Sequence, residues 1–255
     1  MNIIVSGILG RMGRTVCDAA ADAPDMHVVG GVDAAADSPK TIKVGGGDVP
    51  VFGDWNAVDV EADAIIDFSH YTAVPALLRY AVAQSLPVVV CTTGLGEAER
   101  DAMRDAARSA PVFNSSNMSL GIGVVKNMAR LAVPALERDF NVEITEAHHK
   151  MKKESPSGTA IMLADAINET CATHKDYVYG RHGKSDEVKI SDLGIHAIRG
   201  GTIPGKHTIL FAGPGETIEI THTAYTRDIF ALGAIKAARY IADKQPGLYT
   251  MDDLI

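Results

Sequence analysis

Cysteine is scarce in this chain. Cys17, Cys91 and Cys171 are odd in number, far apart and free of CxxC or metal-ligand spacing, which argues against a disulfide scaffold or a thiolate metal site. Cys17 falls in a helical pattern and Cys91 ends an apolar run, positions that suit small core residues better than reactive thiols. An excess of basic charge is lacking too. Lysine and arginine total 24 against 32 aspartates and glutamates, a formal net charge of −8, so neither nucleic acid nor an anionic membrane surface is an expected partner. No apolar run approaches the length of a membrane span. The short apolar run near Met1 is preceded by no basic region of the kind a signal peptide carries. Internal repeats and low-complexity segments are absent as well. The expectation is a soluble, cytoplasmic protein. With 46% hydrophobic and 22% charged residues over 255 positions, it has core enough for one large domain or two modest ones.

What is present falls into two grammars. In the first half, apolar runs alternate with helical patterns. Ile3-Ile4-Val5 precedes a helix over about 11–21, His27-Val28-Val29 leads through Gly30-Gly31 to Asp33, and Ala64-Ile65-Ile66 precedes a helix over about 72–84. Pro87 to Val90 precedes a charged helix over about 97–109, and Val112-Phe113 follows. Strand–helix–strand order with continuously apolar strands means a parallel sheet covered on both faces. From about Leu120 the pattern changes. A helix over about 122–138, with Pro134 as a kink point, precedes an alternating strand over 141–147 and a helix over 158–172. Strand-like runs at 194–199, 207–211 and 216–224 follow, joined by Gly/Pro turns, while 174–190 reads as an exposed loop. The fold class expected is α/β, a Rossmann-type doubly wound parallel sheet, with a second α+β domain containing a mixed sheet. The boundaries expected are 1–118 for the first domain, with a C-terminal helical segment (229–255) returning to it, and 119–228 for the second.

Immediately after the first apolar run stands Gly7-Ile8-Leu9-Gly10-Arg11-Met12-Gly13. Glycines at 7, 10 and 13 suit a tight turn, close approach of backbone to a pyrophosphate, and close helix–strand packing. Leu9 stands where a glycine is usual, but the context supports a dinucleotide loop. The motif follows a strand, opens a helix and lies about 20 residues before Asp33, whose carboxylate can accept hydrogen bonds from ribose hydroxyls. That carboxylate repels a 2′-phosphate, and Ala34-Ala35-Ala36 follows rather than an arginine, so NADH is favoured, with NADPH possible through Lys40 and Lys43. Ligands in open parallel sheets lie beyond the carboxyl ends of strands. Asp67-Phe68-Ser69, Cys91-Thr92-Thr93-Gly94 and Ser115-Ser116-Asn117-Met118 are therefore expected to border the same site, with plain capping and turn chemistry as the competing reading of each.

The densest chemistry lies at Glu146-Ala-His-His-Lys-Met-Lys-Lys-Glu-Ser-Pro-Ser-Gly-Thr-Ala160. Ser157 suits an N-cap, and Ala160, Leu163, Ala164 and Ile167 recur at helical spacing. The free N–H groups of that helix start can seat a carboxylate. His148, His149 and the lysines just upstream can move protons or add charge. An anion seat beside acid–base groups reads as an active site. A solvated turn is the competing reading. Metal binding by the two histidines is set aside, because adjacent side chains rarely converge on one ion and no further ligand stands at the right spacing.

Taken together, these motifs resemble the 4-hydroxy-tetrahydrodipicolinate reductase (dihydrodipicolinate reductase) family nearly end to end. The resemblance rests on Gly7…Gly10-Arg11-Met12-Gly13, Asp67-Phe68-Ser69, Thr92-Thr93-Gly94, Asn117-Met118-Ser119, Glu146-Ala147-His148-His149…Lys152…Pro156-Ser157-Gly158-Thr159-Ala160, Arg199-Gly200-Gly201…Pro204-Gly205…His207 and Glu219-Ile220-Thr221-His222. It implies a two-domain homotetramer that reduces a cyclic imine dicarboxylate with NADH or NADPH in the diaminopimelate and lysine pathway. It implies His148 as proton donor/acceptor and Lys152 as proton donor, with the substrate carboxylates on His149, Gly158 and Thr159. The dinucleotide would lie along Gly7, Ile8, Leu9, Gly10, Arg11, Met12, Asp33, Cys91, Thr92, Thr93, Ser115, Ser116, Asn117 and Met118. Cys91 replaces a usual glycine, which adds bulk beside the nicotinamide, and Asp33-Ala34 replaces the Glu-Arg of some members. Two rivals remain. An acylating semialdehyde dehydrogenase needs a nucleophilic cysteine, and an NADH sensor needs a partner surface that the charge balance does not offer.

Overall fold

Short β-branched runs with no polar alternation form the centre of the first unit. The computed structural model describes residues 1–37, 40–184 and 187–255. In chain order the elements are β1 (Asn2–Ser6), α1 (Arg11–Ala21), β2 (His27–Val32), β3 (Lys40–Val44), β4 (Gly47–Phe52), β5 (Ala64–Asp67), α2 (Val74–Gln84), β6 (Val88–Val90), α3 (Glu97–Ala106) and β7 (Pro111–Asn114). There follow α4 (Leu120–Leu136), β8 (Asn141–His148), α5 (Gly158–Asn168), β9 (Asp176–Tyr179), β10 (Asp192–Arg199), β11 (Gly205–Gly213) and β12 (Glu216–Ala224). The chain closes with α6 (Asp228–Ile241), β13 (Gly247–Tyr249) and α7 (Met251–Leu254). Two compact units result, one of Met1–Ser119 with Arg227–Ile255, the other of Leu120–Thr226.

The first unit is an eight-stranded sheet in the order β13-β7-β6-β5-β1-β2-β4-β3. Every pair is parallel except β3 with β4. This is the Rossmann-type doubly wound sheet expected from the sequence. Ile3, Ile4, Ile65, Ile66 and Val88 to Val90 are wholly buried, because helices cover both faces. Helix α1 buries Gly13, Val16, Cys17 and Ala20, a one-sided stripe at helical spacing, and packs on α6. Strand order reverses between β1 and β5, the switch point where such sheets bind ligands.

The second unit is a mixed five-stranded sheet, β12-β11-β8-β10-β9, antiparallel across β12/β11/β8 and parallel across β8/β10/β9. Helices α4 and α5 supply its apolar layer. Leu163 and Ile167 of α5 and Ile144, Ile209 and Phe211 of the sheet are wholly buried in one cluster, each side chain contributing about 1.5–3 kcal/mol. Pro134 sits in the last turn of α4, where its missing N–H interrupts only the end of the ladder.

Three sequence expectations need correction. A β3–β4 hairpin occupies 40–52, where no element was expected. Its turn places Gly45 and Gly46 at φ +55° and +85°, conformations that glycine adopts without strain. The stretch 174–190 is not all loop, since β9 pairs with β10 and Lys175 is buried with its ammonium on the Ile190 carbonyl at 2.7 Å. The helix expected to reach 172 ends at Asn168, where the Asn168 side chain turns instead to the backbone of Lys175.

Candidate active site

The glycine loop follows β1 and is fixed by its own backbone. The Gly7 N–H donates to the Val32 carbonyl at 2.8 Å and the Gly10 N–H to the Gly7 carbonyl at 3.0 Å. Gly7 lies at φ +75°, and a Cβ there would stand 2.6 Å from the Phe68 carbonyl oxygen. At Gly13 a Cβ would stand 2.2 Å from the Gly7 carbonyl oxygen, so α1 can approach β1 this closely only without a side chain. Leu9 stands in the place of a usual glycine without backbone strain, since its φ is not positive. Its N–H is anchored to Asp33 Oδ2 at 2.9 Å, while Asp33 Oδ1 accepts from the Ala35 N–H at 3.0 Å. Ile8 points into the core with no exposure, Met12 is half-buried and Arg11 is exposed.

The other strand-end loops stand beside this one on the same sheet. Asp67 ends β5 fully buried, accepting from Thr92 Oγ1 at 2.6 Å and the Ser69 N–H at 3.2 Å. Burial pushes its carboxyl above the usual range, opposed by hydrogen bonds from Ser69, Thr92 and Ser6. Cys91 is buried with its thiol turned to the Val89 carbonyl, so the bulk it brings is taken up inside the protein. Burial, and then the nearby Asp67, hold that thiol well above its ordinary range. A buried thiol turned back to a backbone carbonyl is not placed to act as a nucleophile. Thr93 and Ser116 are exposed, Ser115 and Asn117 half-buried and Met118 buried. Ser115 and Asn117 brace this turn, Ser115 Oγ donating to the Asn117 carbonyl at 2.8 Å and Asn117 Oδ1 accepting from the Ser119 N–H at 2.8 Å.

In the second unit, residues two apart on a strand share a face, so Glu146 and His148 of β8 both point to the helix side, following Val142 and Ile144. Cross-strand pairing brings in the rest, with Arg199 of β10 opposite His148 and His207 of β11 opposite Glu146. Glu146 has no exposure. It accepts from His148 Nδ1 at 2.6 Å, from Arg199 Nη1 and Nη2 at 2.7 Å each, and from the Ser157 N–H at 2.9 Å. Burial opposes the charge on Glu146, but these donors, Arg199 foremost, outweigh it and hold the carboxyl below its usual range.

His148 is buried, and that burial pulls its pKa below the ordinary histidine value; Glu146 opposes the shift and Lys152 and Arg199 add to it. Burial thus favours the neutral ring, the form able to take up a proton. His207, also buried, lies 5.1 Å from His148 edge-on and bonds Ser157 Oγ through Nε2 at 3.0 Å. Ser157 is the N-cap of α5, its Oγ accepting from the Ala160 N–H at 3.2 Å. Gly158 opens the helix with nothing within 4 Å of where a Cβ would stand, and Thr159 follows. Helix starts of this kind hold anions.

The segment between β8 and α5 is pinned rather than loose. The His149 N–H donates to the Ile203 carbonyl at 2.8 Å, Lys150 N–H to Gly201 at 3.3 Å and Lys152 N–H to His149 at 3.1 Å. The Lys152 ammonium lies 3.6 Å from Glu154, within electrostatic reach of both buried histidines. The structure thus gathers His148, His149, Lys152, Gly158 and Thr159 around the end of β8 and the start of α5. It adds Glu146, Arg199 and His207, which had no assigned roles in the sequence analysis.

Comparison with known proteins follows the same division. A family model for the N-terminal part of dihydrodipicolinate reductase matches residues 1–118, and one for its C-terminal part matches residues 121–255. The chain is 45% identical over 255 residues to a 4-hydroxy-tetrahydrodipicolinate reductase of Caldanaerobacter subterraneus subsp. tengcongensis, covering 100% of this chain and 98% of that protein. It is 40% identical to one of Clostridium tetani, covering 100% and 97%. In fold it is similar to a dipicolinate-bound dihydrodipicolinate reductase from Paenisporosarcina sp. TG-14. The TM-score is 0.80 at 21% identity, over 100% of this chain and 99% of that one. A probable dehydrogenase from Thermotoga maritima is similar in fold at a TM-score of 0.65 and 11% identity, over 100% and 92%.

Proposed function

Because the chain belongs to the dihydrodipicolinate reductase family, and is accordingly an NAD(P)H-dependent reductase of 4-hydroxy-tetrahydrodipicolinate in diaminopimelate and lysine biosynthesis, we propose how its residues share that work. The dinucleotide is held by Gly7 to Met12, Asp33, Cys91 to Thr93 and Ser115 to Met118. Support comes from the bare backbone at Gly7 and Gly13 and from the switch-point position of the loop. Ile8 can contribute only its backbone, since its side chain is in the core. When bound, the reduced nicotinamide supplies the hydride. NADH is the preferred form: Asp33 carries a negative charge where a 2′-phosphate would sit. Of the two lysines that could compensate, Lys43 is paired with Asp48 at 3.0 Å and Lys40 reaches the Ala35 carbonyl at 3.4 Å.

The substrate's carboxylates are taken by His149 and by Gly158 and Thr159 at the start of α5. The substrate's hydroxyl leaves as water, Lys152 delivers the one proton that balances the hydride, and His148, as proton donor/acceptor, exchanges the proton that restores Lys152. The positive charge of Lys152 also stabilises the negative charge that develops as hydride arrives. The observation that carries this reading is the grouping at the end of β8. A buried imidazole, an ammonium within its electrostatic reach and a capped helix start lie on consecutive segments of one chain. A cytoplasmic homotetramer completes the proposal.

The test is loss of reduced-nicotinamide absorbance with substrate made in situ from pyruvate and aspartate semialdehyde, run with NADH and NADPH side by side. Turnover with NADH ahead of NADPH is expected. No turnover with either cofactor would refute the proposal.

A further inference from the structure

Glu146 is left without a task by that chemistry, although four hydrogen-bond donors converge on it. Its Oε2 accepts from His148 Nδ1 and Arg199 Nη1, and its Oε1 from Arg199 Nη2 and the Ser157 N–H. A carboxylate offers about four lone-pair sites, so its accepting capacity is filled from inside the protein. We propose that Glu146 is a positioning residue: it fixes His148 as the Nδ1–H tautomer, presents Nε2 for proton exchange, and ties that ring through the same carboxylate to the start of the anion seat at Ser157. The inference rests on the roles given above to His148 and to the start of α5.

Three features support it. An ionised carboxylate only accepts, so the ring nitrogen 2.6 Å away must be the one that carries hydrogen. Arg199 offsets the buried charge through two parallel bonds, so His148 need not be protonated to do so. The space before Nε2 is kept open by Gly205, where a Cβ would stand 3.2 Å from that nitrogen.

A glutamine shows why the charge matters. Its single oxygen can satisfy two of the four donors, leaving an NH2 group against the others. If the oxygen stays with Arg199 Nη2 and Ser157, the NH2 faces His148 Nδ1. The ring then exposes Nε2–H, the wrong tautomer for accepting a proton.

The first measurement needs no variant. Histidine 15N NMR of the full chain near neutral pH should show His148 neutral with its proton on Nδ1, and a predominant Nε2–H form would overturn the proposal whatever the enzyme turns over. Glu146→Gln should move that proton to Nε2 and lower kcat at saturating substrate by about 10²-fold. The Kd for NADH should change by less than about twofold, the dinucleotide loops of the first unit being untouched. Glu146→Asp keeps the charge one methylene short; it should retain the Nδ1–H form and recover part of kcat, and it serves if the glutamine variant does not fold. In a His148→Asn background, Glu146→Gln should cost less than about threefold more in kcat, because residues acting as a unit are not additive. A second full loss there would show that Glu146 acts elsewhere and overturn the proposal. If His148→Asn alone left kcat unchanged, the catalytic reading of His148 would fall, while the tautomer still reported separately on Glu146.

Discussion

The pH dependence of stability turns on His207. It is 4% exposed, its Nε2 bonds Ser157 Oγ at 3.0 Å, and its Nδ1 is buried with no hydrogen-bond partner among the described residues. Burial first, then the charges of His148, His222 and Lys152 against the opposing Glu146, push its pKa down to about 4. The unfolded chain titrates near the ordinary histidine value, about 6.5. Between those two values the unfolded state therefore binds a proton that the native state refuses. Stability falls as pH falls through this window. The contribution is about 3 kcal/mol in full, of which about 2.5 kcal/mol is gone by about pH 4.5. Comparison with His207→Gln isolates it, since the glutamine amide can still reach Ser157 but does not titrate. Urea unfolding followed by circular dichroism between about pH 7.5 and 4.5 should show the wild type losing about 2.5 kcal/mol relative to the variant. Parallel stability curves, or a His207 ring proton titrating near its ordinary value in NMR, would refute the reasoning.

Lys152→Met keeps the aliphatic stem and removes the ammonium, so kcat should fall by about 10²–10⁴-fold with the Kd for NADH unchanged; a change of only a few-fold would leave 149–153 as a solvated turn. Asp33→Ser with Ala34→Arg should raise the NADPH-to-NADH ratio of kcat/KM by about tenfold or more. The single serine oxygen can still accept from the Ala35 N–H two residues on, though not from both groups that Asp33 now holds, and an unchanged ratio in steady-state assays would remove Asp33 from the choice of cofactor. Gly13→Ala sets a Cβ 2.2 Å from the Gly7 carbonyl oxygen. Stability should drop by about 1–3 kcal/mol or more, together with NADH affinity, as read by melting on the fluorescence of Trp55; a wild-type melt would contradict the close packing of α1 on β1.

The fold class was legible because parallel strands covered on both faces must be apolar throughout. Ile3 to Val5, Ala64 to Ile66 and Val88 to Val90 announce themselves in that way. The β3–β4 hairpin does not, since β3 is an edge strand half open to solvent and carries lysines at 40 and 43. Its signal was nonetheless present: paired glycines between alternating segments are a hairpin turn. Strand β9 is four residues long, also at a sheet edge, with Tyr179 exposed, too short a pattern to separate from loop. The cluster in the second unit divides along the same line. Glu146 could have been placed beside His148 from strand periodicity alone. Arg199 and His207 reach it only through pairing with strands 51 and 61 positions further on than His148 and Glu146, and local sequence does not encode that register.

The first unit is made of two separated stretches, and that has a consequence during synthesis. Helix α6 packs on α1, Gly233 lies so close to the Met118 carbonyl that a Cβ would stand 1.7 Å from it, and β13 extends the sheet beyond β7. None of these groups exists when Ser119 is made. The ribosome must first produce all of Leu120–Thr226, which at about 5–20 residues per second takes about 5–20 s. For that interval the side of α1 that α6 will cover and the free edge of β7 are open to other chains. The second unit, continuous in sequence, has all its residues before the first is complete. The N-terminal half is therefore the part of the nascent chain expected to need chaperone cover most. Chains cut short before α6 should be held by chaperones or aggregate rather than accumulate as a free nucleotide-binding domain.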